Sequence, residues 1–466
     1  MAIWMRGQAV RAPAFGATGG RRIEFYGARP TISLSAVTYP AAIQFLYGLQ
    51  MFGANFGLET PRKLAALAGN PQERLRFIHV AGTNGKGSTC AMLEGIYRAA
   101  GLRVGLFTSP HLVSFRERIQ VNRRFIPEDD VAWLVAELQP MLKQFPDTTH
   151  PTMFEVVTVL ALKYFAEQKC DLVIWETGLG GRLDATNIVT PLASVITNIA
   201  FDHTQWLGGT LEKIAAEKAG IIKPGVPVIT AAREPEVLGV IERVARENGS
   251  PFTRAETDPA FSREHPAALA GEHQKANAAL AVATVRVLQP QIPAKDEHIY
   301  TGLAQVTWPG RLQLVERGSQ KILLDGAHNV AGAEVLREAL QNMRAELAGS
   351  ETGAPVLIIG VLGDKDWRGM CDILAPLAGR ISVVPVASER TANAQELAAF
   401  FKTANPRAET VVFKNVSEAL NAGREEPLVV VAGSLYLIGE ALEVLGLSPA
   451  GAGERGLNEW SGMVKT

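Results

Sequence analysis

Hydrophobic residues along this chain cluster in short runs rich in valine and isoleucine. The runs are FIHVA (77–81), DLVIWE (171–176), ASVITNI (193–199), VPVIT (226–230), KILLD (321–325), PVLIIGV (355–361), ISVVPV (381–386) and PLVVVAG (427–433). Stretches with helical periodicity, such as STCAMLEGIYRAA and GAEVLREALQNM, lie between most of them. Continuous apolar strands that alternate with helices predict an α/β protein with mainly parallel sheets covered on both faces.

The chain has 466 residues, too many for one typical hydrophobic core, so we expect two domains. The best dividing point is QVTWPGRLQLV, around Trp308, because a long helical pattern ends before it and a new strand–turn–helix series follows. The prediction is an N-terminal α/β domain over 40–308 and a C-terminal α/β domain over 309–446. Residues 447–466 are rich in glycine and are expected to form a loose tail.

The first 39 residues show no clean periodicity and carry five arginines against one acid, Glu24. They lack the apolar core of a secretory signal, whereas an Arg-rich, acid-poor leader is typical of an organelle transit peptide. A disordered extension or an upstream start codon explains the composition equally well. We therefore leave residues 1–39 out of the fold prediction.

Charge and cysteine content narrow the function classes. Lys plus Arg number 46 and Asp plus Glu number 47, a net charge of −1, which gives no reason to expect nucleic acid or an anionic membrane as the main partner. No apolar run reaches the roughly 18 residues of a membrane helix. Cys90, Cys170 and Cys371 are far apart and form no C-x-x-C pair, which argues against disulfides or zinc and favours the cytoplasm.

The segment HVAGTNGKGST predicts a phosphate-binding turn between a strand and a helix. Its glycines let the backbone approach phosphate oxygens, Lys86 supplies positive charge, and the Ser88 hydroxyl can serve phosphate or Mg²⁺. N–H groups and the dipole at the helix N-terminus favour an anion there. The spacing G-x-x-G-K-G-S departs from the common G-x-x-x-x-G-K-[ST], and a Gly-rich turn alone is often structural. With Lys86 and Ser88 in register, the nucleotide interpretation is favoured.

Polar side chains follow several predicted strands, where ligands collect in open α/β sheets. They are Ser109, His111, Glu176, Asp202, His203, Asp325 and His328. Taken singly, each has a structural explanation, such as a hydrogen-bonded turn or a helix cap, and Lys218 and Arg311 would be ordinary helix-surface and salt-bridge residues. Their repeated placement near a phosphate loop favours a Mg²⁺ site. Imidazole is a less usual Mg²⁺ ligand, which counts against His203.

Eleven segments together match one family in order and spacing. They are FGLETPRKL, HVAGTNGKGST, TSPHLVSFRERI, PTMFEVVT, ETGLGGRLDATNIV, ITNIAFDHTQWLG, AAEKAGIIKPG, GEHQKANAALA, WPGRLQ, DGAHN and VVVAGSLYLIGEA. Through them the chain resembles the bacterial dihydrofolate synthase/folylpolyglutamate synthase proteins of the Mur ligase superfamily. The resemblance runs from about residue 40 to residue 443.

The resemblance implies a P-loop ATPase-type domain with a mainly parallel sheet, followed by a Rossmann-like domain that receives the amino acid. It implies that ATP phosphorylates a carboxylate of the pterin substrate and that L-glutamate attacks the acyl phosphate, releasing ADP and phosphate. The substrates would be dihydropteroate, reduced folates, or both. Relatives are commonly monomers, so a cytoplasmic monomer is expected, with no nucleic acid or membrane partner.

Position by position, the resemblance assigns five overlapping groups of site residues. The ATP phosphates would be held by Asn84, Gly85, Lys86, Gly87 and Ser88. ATP would also be held from the far side by Asn277, Arg311, Asp325 and His328. Mg²⁺ would be bound by Ser109, Glu176 and His203, with a second Mg²⁺ on Lys218 carried as a carbamate. The pterin site would be lined by Met153, Phe154, Glu155, Val156, Leu183, Asp184 and Ala185. The catalytic residues would be Lys86, Glu176, His203 and Lys218.

Two alternatives remain open from the residues. A Mur-type ligase for a UDP-linked muramyl substrate uses the same chemistry, although TSPHL and GLGGRLDATN favour folate, and only about 40 residues precede the ATPase domain. A non-catalytic nucleotide-binding switch or scaffold would not need Glu176, His203 and Lys218, all of which are present. Within the folate interpretation, the sequence leaves open whether the protein adds the first glutamate, lengthens the tail, or does both.

Overall fold

The computed structural model describes residues 37–52, 57–255, 268–347, 354–448 and 454–459. The predicted N-terminal extension lies outside the described residues, apart from its last three positions. Within the described chain, the structure consists of two sheets flanked by helices, one on each side of Trp308 in the sequence.

The first sheet is built from eight strands. They are β1 (Phe77–Ala81), β2 (Val104–Phe107), β3 (Ile119–Val121), β4 (Arg124–Phe125), β5 (Leu172–Glu176), β6 (Ala193–Ile196), β7 (Val228–Thr230) and β8 (Phe252–Arg254). Their order is β4-β3-β2-β5-β1-β6-β7-β8. The run from β2 to β8 is parallel, whereas β3 and β4 form an antiparallel hairpin at the edge.

Ten helices accompany this sheet among the described residues. They are α1 (Tyr39–Gly48), α2 (Glu59–Leu67), α3 (Lys86–Ala99), α4 (Glu128–Leu142), α5 (Met153–Glu167), α6 (Thr204–Leu207), α7 (Leu211–Ala219), α8 (Pro235–Glu247), α9 (Glu272–Val287) and α10 (Asp296–Ala304).

The second sheet has six strands. They are β9 (Gln313–Arg317), β10 (Gln320–Leu324), β11 (Val356–Ile359), β12 (Arg380–Val383), β13 (Glu409–Val412) and β14 (Leu428–Ala432). Their order is β13-β12-β11-β14-β10-β9, parallel except for the β9–β10 hairpin. The accompanying helices are α11 (Val330–Leu347), α12 (Trp367–Leu374), α13 (Ala394–Ala404), α14 (Val416–Ala422) and α15 (Leu435–Val444).

The predicted α/β architecture with mainly parallel sheets is confirmed, and each of the eight apolar runs contains a strand. The central strands β1, β5 and β14 are buried at every position, as expected where helices cover both faces. The Trp175 ring, fully buried on β5, packs against Phe77, Phe107 and Phe165. Burial of this aromatic group fixes the strand whose last residue, Glu176, enters the site.

The C-terminal segment differs from the expected loose tail over residues 454–459. Leu457 is fully buried in a hydrophobic core that is otherwise formed by elements of the N-terminal half, which we call the first hydrophobic core. The Glu454 carboxylate accepts hydrogen bonds from the Tyr39 hydroxyl (2.9 Å), the Ser114 hydroxyl (3.0 Å) and the Phe115 N–H (2.6 Å). A glycine-rich composition did not reveal this anchoring, because it depends on one leucine and one carboxylate that meet distant partners.

Two further observations bear on function class. None of the helices among the described residues is both long and apolar enough to cross a membrane. Cys90, Cys170 and Cys371 are buried free thiols.

Candidate active site

The carboxyl ends of the parallel strands in both sheets border one cavity of about 890 Å³. It is lined by the loop after β1, by Glu176 at the end of β5, and by Asp325 after β10. Every residue that the resemblance assigned to the site borders this cavity except Val156, and of the strand-end candidates His111 does not border it. Val156 points into the first hydrophobic core and is fully buried. The fold thus gathers groups that lie up to 244 positions apart, Asn84 and His328 being the extremes.

The loop from Gly82 to Ser88 has the shape that close approach to an anion requires. Gly85 has φ of +83°, and a Cβ there would lie 2.4 Å from the Asn277 side-chain oxygen. A Cβ on Gly82 would lie 1.7 Å from the Thr197 hydroxyl. Helix α3 begins at Lys86, so its free N–H groups and positive dipole end face the cavity. The loop has no room for a side chain at Gly82 or Gly85, and its shape suits an anion.

Lys86 and Lys218 meet at this loop. Lys86 Nζ donates to the carbonyl oxygens of Gly82 and Thr83, each at 3.1 Å, and Lys218 Nζ donates to the Gly82 oxygen at 2.7 Å. Lys218 is buried on α7. Burial, with the nearby Lys86 charge, lowers the pKa of Lys218 to about 7. A substantial share of this side chain is therefore a neutral amine near neutral pH, unlike a solvated helix lysine.

Glu176 and Ser109 form the next wall, beside β2 and β5. The Ser109 N–H donates to Glu176 Oε2 at 3.0 Å, and the buried Ser109 hydroxyl has no hydrogen-bond partner among the described residues. Burial raises the pKa of Glu176 to about 7, although the positive charge of Lys86 acts to lower it. An orphaned hydroxyl beside a buried carboxylate is an oxygen donor pair of the type that Mg²⁺ binds.

His203 lies in a charged cluster that spans the two domains. Asp202 is central: its Oδ1 accepts from Lys365 Nζ at 2.6 Å, and its Oδ2 is 3.7 Å from His328 Nε2. Burial would raise the pKa of Asp202, but its contacts with His328 and the charge of Lys365 together lower it well below its usual range. Burial and Lys365 lower the pKa of His203 to about 3, so its imidazole is neutral and able to act as a ligand.

These donors bear on the predicted metal site. Glu176, Ser109 and neutral His203 are chemically suited to a divalent cation, although Lys365 Nζ lies 3.2 Å from His203 Nε2. Across the described parts of the chain, no three His, Cys, Asp or Glu side chains are arranged to hold a metal. The predicted set of ligands contains two side chains of these types, Glu176 and His203. The Ser109 hydroxyl and a modified Lys218 would have to complete it.

Asp325 and Arg311 face the cavity from the C-terminal domain. The Asp325 carboxylate accepts the N–H groups of Leu312 and Ala327, both at 2.9 Å, which orders the turn after β10. Burial raises the pKa of Asp325 and lowers that of Arg311, and each group opposes the other's shift. This pair places a guanidinium and a carboxylate on the wall of the cavity that the predicted phosphate loop also borders.

The predicted pterin residues lie at the start of α5 and in the loop after β5. Thr152 and Glu155 form a capping box: the Thr152 hydroxyl accepts from the Glu155 N–H, and Glu155 Oε2 accepts from the Thr152 N–H at 2.7 Å. Glu155 thus has a structural role beside any ligand contact. Asp184 accepts from Leu179 N–H at 2.7 Å and from the Thr186 N–H and hydroxyl. These bonds hold the Asp184 carboxylate at the cavity wall.

Sequence reasoning missed three residues of the site. Asn329 hydrogen-bonds Asn84 across the domains, Lys365 reaches Asp202, and Arg118 borders the cavity while almost fully buried. Asn329 and Lys365 follow β10 and β11, so the strand-end rule applied to every strand would have found them. Arg118 follows no strand end directly, although it lies in TSPHLVSFRERI, one of the segments that carry the resemblance.

Comparisons with known proteins agree with this architecture. Residues 80–248 match the family model Mur ligase middle domain, and residues 311–444 match Dihydrofolate synthetase, C-terminal domain. The dihydrofolate synthase/folylpolyglutamate synthase of Bacillus subtilis is 37% identical over 429 residues, covering 86% of this chain and 98% of the relative.

Two solved structures share the fold. Escherichia coli FolC in complex with DHPP and ADP superposes with a TM-score of 0.77 at 32% identity, covering 88% of this chain and 98% of that one. The Mycobacterium tuberculosis folylpolyglutamate synthase complexed with ADP gives a TM-score of 0.80 at 28% identity, with coverage of 88% and 100%. The chain therefore belongs to the dihydrofolate synthase/folylpolyglutamate synthase family, a family of ATP-dependent ligases within the Mur ligase superfamily.

Proposed function

We propose that this protein joins L-glutamate to dihydropteroate and to the γ-carboxyl of reduced folates, through an acyl phosphate made from ATP. The observation that carries the proposal is the shared cavity, in which a phosphate loop, a carboxylate-and-lysine cluster and the C-terminal domain's polar turn all meet. The relative from E. coli is described with DHPP and ADP together, which supports a pterin and a nucleotide in one site here.

The chemistry explains why such a cavity is needed. A carboxylate acylates poorly because oxide is a poor leaving group, whereas phosphate leaves readily. Phosphoryl transfer mostly requires alignment and charge neutralisation. Lys86 and the N–H groups at the start of α3 are suited to hold the phosphates, and Ser88 and Asn277 support the loop from either side. Asp325, Arg311 and His328 would close on the nucleotide from the C-terminal domain.

Magnesium would be held by Ser109, Glu176 and His203, and it would neutralise charge on the phosphate oxygens when bound. Lys218 would carry a carbamate: its neutral amine adds to CO₂, a C–N bond forms, one proton is released, and a cation becomes an anion that can bind a second Mg²⁺. The burial of Lys218 and its single carbonyl partner support this assignment. An ordinary solvated lysine would remain protonated.

The pterin would lie against Met153, Phe154, Leu183 and Ala185, with Asp184 as acceptor for ring N–H groups. Phe154 packs directly beneath Gly178, where a Cβ would lie 2.5 Å from the ring. A flat apolar wall with one fixed carboxylate suits an aromatic heterocycle that carries several donors. The Mur-type alternative is supported at the level of the superfamily alone, through the middle-domain match.

The test is an assay of labelled L-glutamate with Mg-ATP, with dihydropteroate and tetrahydrofolate in separate reactions. Product with both acceptors is expected. Product with one acceptor would narrow the activity to the synthase or to the tail-lengthening ligase. Absence of product with both, from folded protein that binds ATP, would refute the proposal and direct attention to a muramyl substrate.

A further inference from the structure

Arg118 is a buried cation at the cavity wall that makes no salt bridge to an acidic side chain among the described residues, although the charges of Glu117 and Glu176 act on it. It ends the 3-10 helix Phe115–Arg118, just before β3, and its side chain is 3% exposed. It borders the same cavity as Glu176 and Lys86. A buried guanidinium normally pairs with a carboxylate, because removing its charge from water is otherwise costly.

The groups that hold Arg118 are neutral. Arg118 Nε donates to His111 Nδ1 at 2.8 Å, and Nη2 donates to the Asn458 side-chain oxygen. Since His111 Nδ1 accepts, its proton sits on Nε2, which donates to the Glu454 carbonyl at 2.9 Å. Burial lowers the pKa of His111 well below its usual range, in agreement with a neutral ring. The C-terminal segment 454–459 therefore helps to fix the guanidinium without neutralising it.

The Arg118 guanidinium retains unused hydrogen-bonding capacity. Of its nitrogens, Nη1 makes no hydrogen bond within the described chain, and it is not among the buried orphan atoms. Burial lowers the pKa of Arg118 to about 10, which leaves it a cation at neutral pH. A fixed cation with a free N–H edge at a cavity wall is suited to an anionic group that enters the cavity.

The position of Arg118 argues for a carboxylate and against the ATP phosphates. Its loop follows β2, whereas the phosphate loop follows β1, and β5 lies between these two strands in the sheet. Two strand spacings separate the loops by about 10 Å. The phosphates already have Lys86 and the start of α3. Besides the pterin and the carboxylate that is phosphorylated, this reaction must recognise a glutamyl group, whose carboxylates match the planar N–H edge of arginine.

We propose that Arg118 binds a carboxylate of a glutamyl group, either that of incoming L-glutamate or that of the glutamate tail on a folate acceptor. This inference rests on the proposed function. The two sources can be separated because dihydropteroate has no glutamate tail.

The experiment compares Arg118→Met with a matched control, Arg116→Met. Arg116 lies two residues earlier, pairs with Glu128 at 3.0 Å, and does not border the cavity. KM for L-glutamate and for each pterin is measured with dihydropteroate and with tetrahydrofolate. Arg118→Met should raise one KM by about 10- to 100-fold, the range for a charge-assisted hydrogen bond, with a smaller change in kcat. The KM of Arg118→Lys should lie between those of the unaltered protein and Arg118→Met. Lysine keeps the positive charge but lacks the planar pair of N–H donors of a guanidinium.

Two patterns support the proposal. A higher KM for L-glutamate with both acceptors assigns Arg118 to the incoming amino acid. A higher KM for tetrahydrofolate, with dihydropteroate unaffected, assigns it to the tail. If all KM values of Arg118→Met lay within twofold of those of Arg116→Met, the proposal that Arg118 binds a carboxylate would be overturned. Thermal unfolding verifies that Arg118→Met is folded, as expected when an apolar side chain of similar length replaces an unpaired cation.

Failure of the proposed function is a separate result. If the unaltered protein makes no product with either acceptor, equilibrium dialysis of labelled tetrahydrofolate and labelled L-glutamate decides the role of Arg118. Weaker binding of one ligand to Arg118→Met than to Arg116→Met supports the carboxylate site, and equal binding of both overturns it.

Discussion

The side-chain amides of Asn84 and Asn329 exchange two hydrogen bonds, of 3.2 and 3.1 Å, across the junction of the two domains. Asn84 belongs to the phosphate loop after β1, and Asn329 to the turn after β10. Asn329 also accepts the Gly332 N–H at 2.8 Å and donates to Asp202 at 3.2 Å. This amide pair therefore ties the predicted phosphate loop to the C-terminal domain, beside the charged contact between Lys365 and Asp202.

Replacing Asn329 with alanine should raise KM for ATP about 10-fold and lower kcat. The change removes several modest hydrogen bonds, each worth about 0.5–1.5 kcal/mol, and leaves Asn84 unpaired on the C-terminal side. KM and kcat are measured from initial rates at varied ATP concentrations. Asn421→Ala, on the exposed face of α14, is the control. Unchanged KM for ATP would show that the amide pair does not support nucleotide binding.

Lys86→Ala should lower ATP-dependent ligation at least 100-fold while the protein stays folded. Lys86 bonds carbonyls of its own loop and makes no core contact, so its removal takes charge from the phosphate site without creating a cavity in the core. Product formation and thermal unfolding are measured side by side, with exposed Lys402→Ala as control. If the variant kept its activity and its ATP requirement, the loop would have been misinterpreted.

Lys365→Met should destabilise the protein by about 3–5 kcal/mol, because it leaves a buried Asp202 without its cation. Both side chains are less than a tenth exposed, at 9% and 8%, and their contact is 2.6 Å. Asp202→Asn combined with Lys365→Met should cost less than the sum of the single changes. Urea unfolding of the four proteins gives the coupling energy, which we expect to exceed about 1 kcal/mol. Additive effects would mean that the pair is not energetically coupled.

The buried carboxyl group of Glu155 predicts how the stability of the folded protein changes with pH. Burial raises the pKa of Glu155 to about 7 in the folded protein, so the folded state holds this proton more firmly than the unfolded chain. The stability that it contributes is present at low pH and is lost as pH rises through about 7. Glu155→Gln should therefore gain stability relative to the unaltered protein between about pH 5 and 8, by up to about 3 kcal/mol.

Urea unfolding across that pH range measures the gain, and Glu236→Gln, exposed in the first turn of α8, is the control. A difference between Glu155→Gln and the unaltered protein that stays constant with pH would contradict the assigned pKa. The amide oxygen can still accept the Thr152 N–H, so the helix cap is preserved in the variant.

Much of the fold followed from local patterns. Apolar runs of β-branched residues identified the parallel strands, because burial on both faces leaves a continuous signal. The strand-end rule alone was enough to place Glu176 and Asp202 at the carboxyl edge of the first sheet and Asp325 at that of the second. The capping box between Thr152 and Glu155, which the structure shows at the start of α5, gives Glu155 a structural role independent of ligand.

Other features depend on contacts that no local pattern encodes. His203 adopts a left-handed backbone conformation, with φ of 49°, next to the domain junction. Lys365 is one charged residue among several in GDKD, and nothing in the sequence shows that it is the one that meets Asp202. Leu457 and Asn458 lie in a stretch that composition alone marks as loose. Their burial follows from the meeting of the C-terminal segment with the loop around His111.

The most direct test of the acyl-phosphate account is oxygen transfer from the pterin substrate. Dihydropteroate labelled with ¹⁸O in its carboxylate is converted with Mg-ATP and L-glutamate, and the released phosphate is analysed by mass spectrometry. Phosphorylation of the carboxylate predicts one ¹⁸O atom in each phosphate, because the bridging oxygen leaves with it. Phosphate free of ¹⁸O, in the presence of amide product, would contradict the account.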